Sequence, residues 1–136
     1  MTEHAKLEML VCCDKVIEEA VNGKKTVIGI FRNFNFPSLP AAYALPWFIF
    51  AQITGLDSGG HSVAINVVHD QTQGVVFAAG LDIPDTHPEN ADLLIPVQNV
   101  MFQKPGKHVV SLNIDGRQLG YTVLTVTLQG AQIGGT

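Results

Sequence analysis

Two alternating runs, His108-Val109-Val110-Ser111-Leu112-Asn113-Ile114 and Arg117-Gln118-Leu119-Gly120-Tyr121-Thr122-Val123, are joined by Asp115-Gly116. A two-residue Asp-Gly link between alternating runs predicts a β-hairpin, because its turn needs positive φ at both central residues. No other stretch restricts the fold so tightly. With the turn at 115–116, Ile114 faces Arg117, Leu112 faces Leu119 and Val110 faces Tyr121. The inward set is then Val110, Leu112, Ile114, Leu119, Tyr121 and Val123, with Asn113 and Gln118 turned away. A slip of one residue would invert both sets.

The rest of the chain carries the same signal. Val and Ile number 25 against 12 Leu, and β-branched side chains suit a pleated surface. Ser62 to Val67 alternates into a polar turn at His69–Gly74, and Val75 to Ala79 returns. Lys6 to Cys13 and Thr26 to Phe31 read as strands. Residues 14–21 are open: Asp14 could cap a short helix, or Asn22-Gly23 could close a hairpin with the segment extended. The extended reading is preferred. Pro37, Pro40 and Pro46 make 36–46 a crossing between sheets, and 84–91 is the longest polar loop. Eight short strands with tight turns predict one all-β domain over 1–136, ordered over about 6–128 with a flexible tail at 129–136. The expected architecture is a two-sheet antiparallel β-sandwich with Greek-key crossings, the alternative being a β-barrel.

Charge is the anomaly. Charged residues make up 15% of a chain that is 46% apolar, with a net charge of −4, against about 25% charged in an ordinary domain. Trp47 to Ile53, Val75 to Ala79 and Thr122 to Leu128 are apolar on both faces, as in strands covered on both sides. The surplus predicts a covered outer sheet and self-association. Basic residues are scattered, which argues against nucleic acid as a partner. The apolar run 41–51 is broken by Pro46 and too short for a membrane span, and the N-terminus lacks the pattern of a secretory signal. Adjacent Cys12-Cys13 would strain to form a disulfide. Two free thiols fit a reducing cytoplasm.

A family resemblance rests on particular residues. Glu8 to Asp14, Gly23-Lys24-Lys25, Ile28-Gly29-Ile30-Phe31 and Phe36-Pro37 with Pro40-Ala41 resemble a bacterial and phage-associated family of uncharacterised small β proteins, a domain of unknown function. Phe102 to His108, with Asp115 to Leu119, is similar to that family's closing hairpin and to many immunoglobulin-like sandwiches. The resemblance spans about residues 7–128. It implies a sandwich fold and no activity, so it supplies no functional residues. One departure is His108, which stands where such hairpins place Tyr or Phe. Either the corner anchor is weaker here, or a ring hydrogen bond holds His108 in place.

No motif with catalytic mechanics is present. Gly55 to Gly60 contains glycines, but no helix pattern follows to make a phosphate cradle. His4, His61, His69, His87 and His108 lack the spacing of a site within one element, although distant histidines can converge on zinc. Asp82, Asp85, Glu89 and Asp92 form an acidic stretch that could offer oxygens to calcium; the alternative is a solvated loop. Phe34, Phe36 and Trp47 could form an aromatic platform for a sugar or a proline-rich peptide, or pack as core. No serine has a readable base partner and no carboxylate pair shares a strand face. The expectation is a non-catalytic, cofactor-free, self-associating module for protein interaction or structure, with a protein partner as a further option. A small-ligand or carbohydrate-binding sandwich is the alternative, and a metal-dependent enzyme ranks third.

Overall fold

The computed structural model describes residues 4–129. Nine strands form, and there is no helix among the described residues: β1 (Lys6–Glu18), β2 (Lys25–Phe31), β3 (Asn33–Phe36), β4 (Trp47–Thr54), β5 (His61–His69), β6 (Val75–Ile83), β7 (Ala91–Val97), β8 (Gly106–Ile114) and β9 (Arg117–Leu128). They make two sheets, ordered β2-β1-β4-β7 and β3-β9-β8-β5-β6. The ambiguous segment after Cys13 is extended as far as Glu18 and pairs with β2. Two expectations change. There are nine strands rather than eight, and the pairing is not wholly antiparallel, because four-residue β3 runs parallel to β9. The tail from 130 onward lies outside the described residues.

One core lies between the sheets. Ile49, Ala51 and Ile53 of β4 meet Val63, Ile65 and Val67 of β5 and Val110, Leu112 and Ile114 of β8, all buried. The Asp115-Gly116 turn is as expected, with positive φ at both residues (51° and 83°). The register beyond it is not. Leu112 pairs with Gly120 while Asn113 pairs with Gln118, so Leu119 is an extra residue on β9. Such a bulge shifts the following side chains by one position. Tyr121 is consequently 59% exposed, and Leu124 and Val126 take the buried places expected of Tyr121 and Val123.

The surplus of apolar residues on β4 also finds its explanation. Phe50 and Cys13 point away from the core cluster, yet they are 1% and 0% exposed. The β1–β2 hairpin accounts for this. Lys25 pairs with Glu18 at its far end, yet its Nζ lies 2.9 Å from Asp92 Oδ2 on β7. Asp92 shares a row with Gln52 and Met9. Along a straight strand Met9 and Glu18 would be about 30 Å apart, at about 3.3 Å per residue. The hairpin therefore doubles back across the outer face of its own sheet. The bend lies near Gly29, whose φ of 71° is in the left-handed region that glycine enters without steric cost. The face turned to the sheet carries Lys25, with half-buried Val27 and its partner Val16.

Candidate functional site

Phe34 and Phe36 alternate on β3 toward the core, and Trp47 begins β4. The structure brings them together with Phe31, Tyr43 and Phe102: Phe34 lies 5.6 Å from Phe36, 5.5 Å from Trp47 and 4.9 Å from Tyr43 between ring centroids. Phe34, Phe36 and Trp47 are 6%, 7% and 2% exposed. They form the floor of the aromatic cluster rather than an open platform. Phe34 borders a depression. That groove, of about 250 Å³, is lined by Asp14, Gly29, Phe31, Asn33, Phe34 and Tyr43, with Ile30 at its margin.

The acidic stretch does not converge. No group of three or more His, Cys, Asp or Glu side chains among the described residues could hold a metal ion. Asp82 is on β6 opposite Ser62, Asp85 and Glu89 are exposed in the loop, and Asp92 is engaged by Lys25.

Two histidine pairs have defined hydrogen bonds. His61 Nδ1 donates to Asp115 Oδ2 (2.7 Å) and Nε2 donates to the Asp57 carbonyl (2.8 Å). Both partners are acceptors, so the imidazolium form satisfies both contacts. The Asp115 hydrogen bond raises the His61 pKa, and the same bond lowers that of Asp115. Asp115 Oδ1 also accepts the Ser62 N–H (2.9 Å). This pair ties the β8–β9 turn to β5. With both ring nitrogens committed, His61 has no free nitrogen to act as a base.

At the opposite end, His69 and His108 meet edge-on at 4.9 Å, and Phe102 closes on His108 at 5.2 Å. The Thr72 N–H donates to His69 Nδ1 (3.2 Å), so His69 Nε2 donates to the Pro105 carbonyl (2.9 Å). His108 Nδ1 donates to the Gly106 carbonyl (3.0 Å), which is the ring hydrogen bond expected of a histidine at this corner. Its Nε2 has no hydrogen-bond partner among the described residues, and burial lowers its pKa, which favours the neutral ring. Both rings border a cavity of about 190 Å³ beside Val75, Val76 and Lys104. Neither pair includes a serine or cysteine nucleophile.

Neither thiol is poised as a nucleophile. Cys12 and Cys13 are free and buried; burial pushes Cys12 up to about 12 and also raises Cys13. Sequence reasoning missed the two polar residues of the groove, Asp14 and Asn33, and also Tyr43. The signal available was Gly29, a glycine inside an apolar strand run, which often marks close approach or a bend.

Residues 8–127 match the family of unknown function DUF6941, and the chain belongs to it. No curated protein matches the chain. Among solved structures, it is similar to the Pseudomonas fluorescens alkylpurine DNA glycosylase AlkC bound to DNA containing an abasic site analog. Identity is 12%, the TM-score is 0.49, and the match covers 91% of this chain but only 30% of that one.

Proposed function

We propose that this member of DUF6941 is a non-catalytic, immunoglobulin-like recognition module that pairs with a second copy of itself along β6. Strand order supports the immunoglobulin-like, Greek-key reading. With β1, β4 and β7 taken as strands A, B and E, and β5, β6, β8 and β9 as C, C′, F and G, the two sheets follow the order of that sandwich. His108 then sits near the start of strand F, at the corner where such folds place a tyrosine bonded to nearby backbone. The committed nitrogens of His61 and His69 support a non-catalytic role, and the free thiols support a reducing, cytoplasmic setting.

The observation that carries the self-association is the β6 edge. β6 ends its sheet, so one side of its nine-residue backbone has no ladder partner among the described residues. Edge strands are ordinarily blunted by lysine, proline, a short length or a bulge. β6 reads Val-Val-Phe-Ala-Ala-Gly-Leu-Asp-Ile, with a single charge and neither proline nor lysine. Its one register shift lies at the Val75 end. Antiparallel pairing about a two-fold axis near Ala79 satisfies the free backbone groups isologously. It also keeps the two Asp82 carboxylates apart, about 20 Å along the strand.

Sedimentation velocity on the wild type and on Ala78→Lys tests the proposal. Ala78 is exposed, so the substitution charges the edge without entering the core. A dimer for the wild type and a folded monomer for the variant are expected. A wild type that stays monomeric at tens of micromolar, or a variant that dimerises equally well, refutes it.

A further inference from the structure

The groove at the root of the β1–β2 hairpin is a separate feature from the β6 edge. Its walls are aromatic. Phe31 lies 4.8 Å from Phe34 and 6.5 Å from Tyr43 between centroids. Phe34 is the buried floor, while Phe31 and Tyr43 are half-buried, leaving part of each open to the groove. Asp14 stands at the rim with Asn33, and the Asp14 carboxylate is exposed with no ion pair or hydrogen bond among the described residues. Gly29 makes room for it: Gly29 is opposite Asp14, and a Cβ there would collide with the carboxylate. An anion without a charge partner among the described residues thus lines the same groove as a cluster of π faces.

That combination favours a cation. Aromatic faces attract cations through the ring quadrupole, and aromatic cages are the usual recognition device for ammonium ligands. A carboxylate at the rim adds direct charge attraction, and the chain's net charge of −4 favours the approach of a cation. A sugar could stack on the rings and donate hydroxyls to Asp14, but only a cation also gains the direct attraction of opposite charges, and an anion would be repelled. We infer that this groove binds an organic ammonium group, supplied either by a small alkylammonium compound or by a lysine side chain.

The test is an NMR titration of the full chain with choline and with its uncharged isostere 3,3-dimethyl-1-butanol, following the Gly29, Asn33 and Tyr43 amides. Saturable shifts at these positions are expected, with choline at least about tenfold tighter than the alcohol, within the range of a cation–π contact. Equal binding of the two compounds, or no local shift with choline at tens of millimolar, overturns the inference. Asp14→Asn keeps the shape of an exposed side chain and is expected to weaken choline about threefold to tenfold; unchanged affinity removes Asp14 from the site. Nα-acetyl-lysine amide in place of choline separates the sources. Tighter binding of the lysine compound identifies a protein side chain as the ligand, and tighter binding of choline identifies a small amine. The same titration on Ala78→Lys reads the groove independently of self-association.

Discussion

β7 and β6 are each an edge strand, one in each sheet, and these two edges are built differently. β7 closes the four-stranded sheet with seven residues, including Pro96. Asp92 near its start is held by Lys25 from the hairpin that crosses the sheet. β6 closes the five-stranded sheet with nine residues and none of these devices. An edge that carries a proline and a tethered charge resists strand addition. An edge that is long and apolar on both faces invites it. One fold thus contains a guarded edge and an unguarded one, and the contrast assigns the low charge of the chain two separate causes. On the β4 side the apolar surplus is covered by the chain's own hairpin. On the β6 side it is left uncovered among the described residues, where the proposed pairing would cover it.

The contrast can be broken most directly at β6. Ala78→Lys brings two like charges together across the proposed two-fold and is expected to weaken dimerisation about a hundredfold, since juxtaposed like charges cost several kcal/mol. Its effect on monomer stability should stay within about 0.5 kcal/mol; concentration-dependent sedimentation and urea unfolding measure the two. The guard on the other side is weakened by Gly29→Ala. The new methyl sits at positive φ and meets Asp14, so a loss of about 1–2 kcal/mol is expected in urea unfolding. Asp92→Ala releases the Lys25 latch. As a partly exposed ion pair it contributes about 1 kcal/mol or less, and its sharper readout is chemical: Cys13, 0% exposed beneath the hairpin region, should react faster with a thiol reagent. Equal Cys13 reactivity in wild type and variant would contradict the doubled-back hairpin.

A pH series supplies a contrast that touches neither edge directly. The raised His61 pKa contributes stability that is complete below about pH 6.5 and is lost as the pH rises through the folded value. The lowered Asp115 pKa contributes stability that is complete above about pH 3.9 and is lost as the pH falls through the folded value. The pair should therefore hold fully from about pH 4 to 6.5 and weaken on either side. His61→Asn should flatten the decline above pH 6.5 in thermal unfolding curves.

The sequence made the Asp115-Gly116 turn legible because that dipeptide has few other uses between alternating runs. The strand face beyond it was not legible, because one inserted residue at Leu119 reverses the pattern without changing the composition. Gly120, inside the run, was the available warning. The apolar excess of Trp47 to Ile53 was visible as an excess, but its cover was not. Alternation reports that a face is buried and is silent about which part of the chain buries it. The groove was half legible. Phe34 stood out as one of a pair of alternating aromatics, whereas Asp14 and Tyr43 come from distant segments that only the bend at Gly29 and the crossing loop bring together.

Amide hydrogen exchange along β6 at two protein concentrations tests the central claim most directly. In a free edge strand, about half the N–H groups face solvent without a ladder partner. If β6 pairs with its copy, the outward amides between Val75 and Ile83 are protected at high concentration and exchange rapidly on dilution or in Ala78→Lys. Rapid exchange of those outward amides at every concentration would contradict the account.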